Sequence, residues 1–316
     1  MPSTSSSDSN QGSYYLLPPK QQNFNNRGYK KLAEELYRLT QVEEDYVIPE
    51  LDGKFGAEQI INLGLCAETV YIIGSGKEAT VYMARDNQGE LVAIKLYRIY
   101  RTAHRSDLLD LDGNVSGARD KGTQSAVRVQ AASILAMQEY DMLVELYDKG
   151  VPLPMPYEQK DFAYSMELLG TEIGPSPLLK EVNLLELGLE PIEVLEDILD
   201  IYYKMFTECH IAHADFNEHN LIWHNNQIFV IDVLQARKYN SNNISPFASK
   251  GNYISKIEAY ELLERDITSI MRHFRQKYSV SFDTKEVIEL MMDLQNEDSL
   301  WYQTYQYIHG ERHFSR

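Results

Sequence analysis

An α+β fold, with a β-rich first part and a mostly helical second part, is predicted by three features of the sequence. Between Ile72 and Tyr82, two apolar runs are separated by glycines, as in two strands joined by a tight turn. A third apolar run, rich in β-branched residues, follows at 92–96. Farther along, apolar residues recur at helical spacing. The predicted helices lie within 127–149, 191–206, 255–279 and 284–309.

The ends of two helices are marked by single residues. Gly150 lies where the helix of 127–149 should stop, and two prolines follow it. Pro191 opens the next helix at the first position, which proline favours. The residues predicted for its inner face are Ile192, Leu195, Leu199, Tyr202 and Phe206.

The turn between the first two strands is a candidate phosphate-binding loop. It contains Gly74, Ser75 and Gly76, followed by Lys77 and Glu78. Glycines lack a Cβ, so the backbone can approach a polyphosphate closely and point its N–H groups at the anion. The spacing differs from that of a Walker A loop. An ordinary hairpin turn is the alternative interpretation.

Lys95 lies within the apolar strand Val92-Ala93-Ile94-Lys95-Leu96. A buried ammonium group needs a partner, and a lysine in a strand that follows a glycine loop is typical of kinases, where it grips phosphates. Glu139 on the following helix is the predicted partner, and Glu145 is the competing candidate. A lysine on an edge strand that faces water is the alternative.

Three polar residues farther along match the needs of phosphoryl transfer. Asp215 follows His213, Asn220 comes five residues after Asp215, and Asp232 follows the apolar run 228–231. Asp215 can accept a hydroxyl proton, while Asn220 and Asp232 offer oxygen ligands for Mg²⁺. We expect His213 to support this loop by hydrogen bonding. A solvated loop is the alternative interpretation of the Asp215 segment alone.

Taken together, these segments resemble the RIO family of atypical protein kinases, and in particular its second subfamily, whose members carry an N-terminal winged helix. The resemblance covers roughly residues 70–275. The segments that carry it are G-S-G-K-E-A-T-V-Y (74–82), A-I-K-L (93–96), A-M-Q-E-Y (136–140), G-V-P-L-P-M-P (150–156), M-E-L-L-G (166–170), H-A-D-F-N-E-H-N-L-I (213–222) and I-D-V-L-Q (231–235). The H-R-D, D-F-G and A-P-E segments of ordinary protein kinases are missing from the sequence.

The resemblance implies a two-lobed, protein-kinase-like fold of RIO type. Its kinase domain would span 71–316, with a small lobe at 71–166 and a large lobe at 170–316. Met166 would then lie at the back of the nucleotide pocket, and the backbone of Glu167 and Leu169 would meet the adenine edge. The family also shows the pair Arg265-Asp266 after its metal-binding aspartate.

The predicted function is that of an ATP-dependent serine/threonine kinase and ATPase with autophosphorylation. Mg²⁺, or Mn²⁺ in its place, would accompany ATP. Lys95 would bind phosphate oxygens, Asp215 would orient the acceptor, and Asp232 could itself become phosphorylated. The resemblance further implies a role in maturation of the small ribosomal subunit. Two alternatives are a small-molecule kinase of the same fold and a non-catalytic, ATP-dependent binding switch.

The remaining predictions concern partners and the N-terminal region. Residues 1–26 are polar and predicted to be disordered, and residues 27–70 form a small accessory region with a helix near Tyr29–Leu39. Family members of the second subfamily carry there a winged helix of about twice that length. The later stretch 100–126 is polar and predicted to be a mobile loop.

A net charge of −17 argues against autonomous, non-specific binding to nucleic acid, because phosphate contacts need lysine and arginine. A local basic surface around Arg98, Arg101, His104 and Arg105 is one interpretation, and a mixed solvated segment is the other. No apolar run reaches the length of a membrane span, so a cytoplasmic protein that makes no membrane contact is expected.

Overall fold

The structure is a computed structural model. It describes residues 49–76, 78–98, 121–240 and 253–294, together with 296, 299, 301–302 and 304–307. In the helix at 49–62, side chains are described from residue 56 onward, and in the helix at 121–148 they are described from Val129 onward. The predictions for 1–26, for Tyr29–Leu39 and for Lys77 lie outside the described residues, as does most of the predicted loop 100–126.

The chain divides into two compact units. The first comprises the residues up to Met137 together with Tyr157–Glu167, and the second comprises Gln138–Pro156 together with the residues from Leu168 onward. None of the described helices is both long enough and apolar enough to cross a membrane.

A five-stranded sheet is the centre of the first unit. Its strands are β1 (Glu68–Ser75), β2 (Ala79–Arg85), β3 (Leu91–Tyr97), β4 (Pro156–Lys160) and β5 (Ala163–Glu167). Their order is β1-β2-β3-β5-β4, so β3 is the middle strand. The pairs β1–β2, β2–β3 and β3–β5 are antiparallel. The β2–β3 turn forms because the Asp86 carboxylate accepts from the N–H groups of Gln88 and Glu90.

Helix α1 (Pro49–Asn62) precedes this sheet as one continuous helix. Gly64, two residues beyond its end, has φ +71°, a conformation that glycine adopts without steric cost. A Cβ added at Gly56 would overlap the Tyr82 hydroxyl, so the helix crosses the sheet closely at this point.

The helix α2 (Lys121–Asp148) runs from the first unit into the second. It begins earlier than the sequence suggested, so 121–126 is helical and does not belong to a loop. Its end is confirmed: Gly150 takes φ +76°, and the N–H of Val151 donates to the Leu146 carbonyl.

The second unit is mostly helical. Its helices are α3 (Pro191–Tyr203), α4 (Lys256–Tyr278) and α5 (Thr284–Met291). Its strands are the short hairpins β6–β7 (Gly170–Thr171, Gly174–Pro175) and β9–β10 (Leu221–His224, Gln227–Val230), and the three-stranded sheet of β8 (Ile211–Ala212), β11 (Arg237–Tyr239) and β12 (Tyr253–Ile254).

An aromatic cluster forms part of the core of this unit. Trp301 is buried against Phe206 and Tyr239, with ring centroids 5.2 and 5.1 Å apart. Phe206 itself lies in a π-helical turn, Lys204–Glu208, that continues α3.

Candidate active site

The glycine loop is the turn between β1 and β2. Gly74 lies opposite Val81 and Ser75 lies opposite Thr80 in this ladder. The N–H of Gly76 donates to the Ala79 carbonyl at 2.9 Å, so it closes the turn and does not point at a ligand as predicted.

The protein's own packing does not require glycine at either position of the loop. A Cβ at Gly74 would lie 3.6 Å from Val81 Cβ, and one at Gly76 would lie 3.8 Å from the Ala79 carbonyl oxygen. Both are ordinary van der Waals distances, and neither glycine has a positive φ. This favours a close approach by a ligand as the reason for both glycines.

Lys95 lies on the middle strand, opposite Val81 on one side and Tyr164 on the other. It is 8 % exposed, so an edge-strand lysine that faces water is the wrong interpretation. Its Nζ lies 5.7 Å from the centroid of the Tyr97 ring, within range of a cation–π contact.

The two glutamates that competed as partners of Lys95 differ clearly in the structure. Glu139 is 1 % exposed on α2. Glu145 instead forms ion pairs with Lys149, at 2.9 Å, and with Lys238. These lysines lower the pKa of Glu145 against the opposing effect of burial. Glu145 is thus engaged at the surface, and the pairing of Lys95 with Glu139 stays a prediction.

The predicted adenine-binding segment comprises the last two residues of β5 and Leu169 just beyond it. Met166 pairs with Ala93 of the middle strand and is only half-buried, as is Glu167. Leu169 is buried, and its carbonyl accepts from the N–H of Ser176 at 2.8 Å. This bond commits that carbonyl to the protein's own fold, so a purine contact at Leu169 would fall mainly to its N–H.

The second unit brings Asp215 and Asn220 together directly. The Nδ2 of Asn220 donates to the Asp215 carboxylate at 2.9 Å and to its backbone carbonyl at 2.8 Å. Asn217 donates to the other carboxylate oxygen at 2.9 Å. Each carboxylate oxygen of Asp215 therefore accepts one side-chain amide N–H. These two bonds fix the orientation of the exposed carboxylate.

Ile231 connects this loop to Asp232. Its N–H donates to the Asn220 carbonyl at 3.0 Å, and its carbonyl accepts from His213 Nε2 at 3.3 Å. Asp232 follows with φ 59° and ψ 68°. This left-handed conformation costs a non-glycine residue on the order of 1 kcal/mol and is more common at functional sites. The structure thus brings Asp215, Asn220 and Asp232 into one connected segment, and both carboxylates are exposed.

Asp266 on α4 binds the backbone on both sides of Asp215. It is 1 % exposed, and its carboxylate accepts from the backbone N–H of Ala214 at 2.8 Å, from that of Phe216 at 3.3 Å and from the Tyr202 hydroxyl at 2.8 Å. Burial raises the pKa of this carboxyl, and the hydrogen bonds act against the rise. Ala214 is held with φ 66°, which a free loop would rarely adopt.

His213 is fully buried beside this anchor. Burial lowers its pKa, so the ring is neutral, and Nε2 carries the proton that binds the Ile231 carbonyl. This confirms that His213 supports the loop by hydrogen bonding.

The residues present fit a Mg²⁺ ion that is shared with phosphate oxygens. Both N–H groups of the Asn220 side chain are turned toward Asp215, so Oδ1 is the atom suited to a hard cation. Together with the Asp232 carboxylate this gives two oxygen ligands, and sites for Mg²⁺–nucleotide complexes use one or two carboxylates plus phosphates and water. Within the described ranges, no cluster of three or more His, Cys, Asp or Glu side chains forms a metal cage.

Sequence reasoning did not assign roles to three of these side chains. Asn217 was passed over, although an amide two residues after a reactive carboxylate commonly bonds back to it. Tyr202 was expected only to pack. Arg98 was interpreted as part of either a basic surface or a mixed solvated segment, yet it is 7 % exposed and binds the glycine loop. A charged side chain directly after a buried strand was the available signal.

A β-sheet unit with a glycine turn and a central lysine, and a helical unit with an Asp–Asn loop, define a protein-kinase-like fold. The model of the RIO domain matches residues 80–287, more than half of the chain, and the chain therefore belongs to the RIO domain family.

Individual relatives agree with this placement. The serine/threonine-protein kinase RIO1 of Caenorhabditis elegans is 27 % identical over 224 residues, covering 70 % of this chain and 40 % of that protein. The RIO-type kinase Rio1 of Haloferax volcanii is 26 % identical over 229 residues, covering 72 % of this chain and 69 % of that protein. The crystal structure of the Rio2 kinase from Chaetomium thermophilum shares the fold, with a TM-score of 0.52, 16 % identity and coverage of 90 % and 88 %.

The chain spans about two fifths of the length of several RIO1 relatives that it matches. Sequence relatives that carry the RIO1 name and a structural relative named Rio2 do not assign a subfamily, so the second subfamily stays a prediction.

Proposed function

We propose that this protein transfers the γ-phosphoryl group of ATP, in the presence of Mg²⁺ or Mn²⁺, to a serine or threonine hydroxyl or to water. The observation that carries the proposal is the connected segment around Ile231. It joins an oriented carboxylate, Asp215, to two oxygen ligands for a metal, on Asn220 and Asp232. These are the groups that phosphoryl transfer needs for positioning and for charge stabilisation.

This proposal gives specific roles to the residues of the site. Lys95 binds phosphate oxygens through its ammonium group, and the glycine loop approaches them with backbone. Asn220 Oδ1 and the Asp232 carboxylate would hold the metal ion, which would supply positive charge beside the phosphates. Asp215 accepts the hydrogen bond of the attacking hydroxyl or water and takes its proton as the new P–O bond forms. Asn217 and Asn220 keep the carboxylate of Asp215 oriented for that step.

We further propose that the protein acts mainly as an ATPase in which Asp232 is transiently phosphorylated. One oxygen of the exposed Asp232 carboxylate attacks the γ-phosphorus, the bond to the β,γ-bridging oxygen breaks, and ADP leaves with the electron pair. Water, which gives its proton to Asp215, then attacks the aspartyl phosphate, releases inorganic phosphate and restores the carboxylate. This sequence consumes one ATP and one water and returns ADP and phosphate.

Chemical sensitivity of the bound label tests this proposal. Protein incubated with γ-³²P-ATP should carry label that hydroxylamine removes, since hydroxylamine cleaves acyl phosphates and spares phosphoserine. Asp232→Asn should carry no such label. Label that resists hydroxylamine would contradict the aspartyl phosphate and leave phosphorylation of serine or threonine, with Asp215 as base.

The cellular role that we propose is ATP-dependent maturation of the small ribosomal subunit in the cytoplasm, accompanied by autophosphorylation. Membership of the RIO domain family supports it, and the net charge of −17 indicates recruitment by a specific partner instead of by bulk RNA. Affinity purification from native cells tests this role. Small-subunit rRNA and ribosomal proteins should co-purify, and their absence, with turnover of a small metabolite instead, would favour a small-molecule kinase.

A further inference from the structure

Arg98 lies directly after β3, and its guanidinium group donates hydrogen bonds to the glycine loop. Its Nη1 donates to the Gly76 carbonyl at 2.5 Å, and its Nη2 donates to Ser75 Oγ, also at 2.5 Å. The backbone N–H of the same residue donates to the Glu78 carbonyl at 2.7 Å. One residue thus binds the turn at three positions.

The guanidinium group is itself fixed in place by Thr80. Its Nε and Nη2 donate to Thr80 Oγ1 at 3.1 and 2.8 Å, and Thr80 is 2 % exposed on β2. Because the planar guanidinium fork is rigid, two bonds to a buried strand residue fix the direction of the remaining N–H groups. These groups therefore meet Ser75 and Gly76 in one defined arrangement.

A glycine turn without such support would be loosely ordered. Gly74 and Gly76 have no Cβ, so this segment loses much conformational freedom when it is ordered. The described backbone bond that closes the turn is the one from Gly76 N–H to the Ala79 carbonyl. Phosphate-binding loops must hold their backbone in one shape to receive the anion, and order that exists before binding lowers the cost of binding.

We propose that Arg98 is a positioning residue that holds the glycine loop, before nucleotide binds, in the shape that receives the polyphosphate of ATP. The name of the ligand rests on the proposed function, whereas the ordering of the loop rests only on the contacts of Arg98. The role differs from that of a phosphate ligand, because Arg98 acts through Ser75 and Gly76.

Three variants separate this role from others. Arg98→Lys keeps the charge and loses the fork. Thr80→Val keeps the shape of the strand residue and removes only the acceptor that fixes the guanidinium group. Arg85→Lys is the matched control, since Arg85 also donates to a turn carbonyl, that of Gly89, at 2.9 Å, but at the opposite end of β2.

The experiment combines hydrogen exchange of the nucleotide-free protein with calorimetric titration of MgATP and of adenosine. In Arg98→Lys, the Gly76 amide should exchange roughly tenfold faster and MgATP should bind roughly tenfold more weakly, because the ordering of the phosphate loop is lost. The affinity for adenosine, which has no phosphates, should stay unchanged. Thr80→Val should change both in the same direction by a smaller factor. Arg85→Lys should change neither.

Each contrary result has a distinct meaning. Unchanged loop exchange in Arg98→Lys would overturn the inference, and so would faster exchange with unchanged MgATP affinity. Normal MgATP affinity in Thr80→Val with weak affinity in Arg98→Lys would overturn it in favour of direct phosphate binding by Arg98. A wild-type protein that binds no MgATP would overturn the proposed function together with the ligand named here.

Discussion

Asn220 donates its side-chain amide to both the carboxylate and the backbone carbonyl of Asp215, at 2.9 and 2.8 Å. This double contact sets the rotamer of the carboxylate and turns the amide oxygen of Asn220 away from it. One residue therefore serves two functions in the account, orienting the proton acceptor and offering an oxygen to the metal.

Asn217 provides a way to separate these two functions. Asn217→Ala frees one carboxylate oxygen of Asp215 and leaves both proposed metal ligands in place. The variant also loses the bonds of Asn217 with the Asp215 carbonyl and the His219 N–H, which hold the same loop. We expect kcat to fall by about tenfold with little change in KM for ATP, since the contacts that orient Asp215 are lost while both proposed metal ligands remain. Steady-state kinetics would check this. Asn183→Ala, which alters an exposed asparagine bonded to Glu186, is the control, and an equal loss in that variant would contradict the assignment.

Lys95→Ala removes the ammonium group from the middle strand. Turnover of ATP should fall at least tenfold, about 1.4 kcal/mol of transition-state stabilisation, because a cation that faces the phosphates is lost. Lys160→Ala removes a lysine that pairs with Glu158 on β4 and should keep normal turnover. Wild-type kcat/KM in Lys95→Ala would show that the phosphate site lies elsewhere.

Gly74→Ala should weaken nucleotide binding without harming the fold. The Cβ fits beside Val81, so the free energy of unfolding should stay the same or rise by about 0.5 kcal/mol, while Kd for MgATP rises by on the order of tenfold. Gly150→Ala should lower the free energy of unfolding and leave Kd for MgATP unchanged. The φ of +76° at this helix end disfavours alanine by about 1 kcal/mol. Denaturant unfolding and calorimetry on both variants would show this crossed pattern or refute it.

The buried His213 should make stability depend on pH. Burial lowers its pKa, so as the pH falls below about 6.5 the unfolded chain takes up a proton that the folded chain does not, and this favours unfolding. The stability present above that pH is then lost on acidification. Burial also raises the pKa of Asp161 to about 6, so protonation of this carboxyl favours the folded state as the pH falls, opposite to the effect of His213. The contribution of His213 is therefore obtained by comparing variants.

Denaturant unfolding of wild-type protein and of His213→Gln at pH 7.5 and 5.5 would make that comparison. Glutamine keeps a donor for the Ile231 carbonyl and cannot titrate, so the variant should lose less stability on acidification than wild type. Equal losses in the two proteins would contradict a role for His213 in this pH dependence.

Features with a strong local signal could be predicted from the sequence. Gly150 and Pro191 mark helix ends through their backbone preferences, and both positions were predicted correctly. The inner face of α3 was only partly correct. Val194 and Ile198 are buried with Leu195, whereas Ile192 is half-buried, because several stripes of an apolar helix satisfy the same spacing and only tertiary packing selects one.

That Asp215 and Asn220 belong to one loop could be predicted from their spacing, and the hydrogen bonds between them confirm it. The roles of Asp215, Asn220 and Asp232 in metal binding and catalysis stay predictions. The connections within the site could not be predicted. They are the bonds through Ile231, the anchoring by Asp266 and the contact of Arg98 with Gly76. They join residues that are far apart in sequence, or they use backbone atoms, and contacts of either kind leave no periodic pattern in the sequence. Arg98 illustrates the difficulty, since an arginine followed by a polar stretch is usually solvated.

Release of inorganic phosphate from ATP, with and without Mg²⁺, tests the central claim most directly when wild type is compared with Asp232→Asn and Asp215→Asn. Wild type should turn over only with the metal. Asp232→Asn, which loses the charged ligand, should fall by about a hundredfold and respond more weakly to Mg²⁺, and Asp215→Asn should fall by a similar factor with nucleotide binding retained. Asp197→Asn, on the exposed face of α3, is the control. Equal, metal-independent turnover in all four proteins would contradict the account.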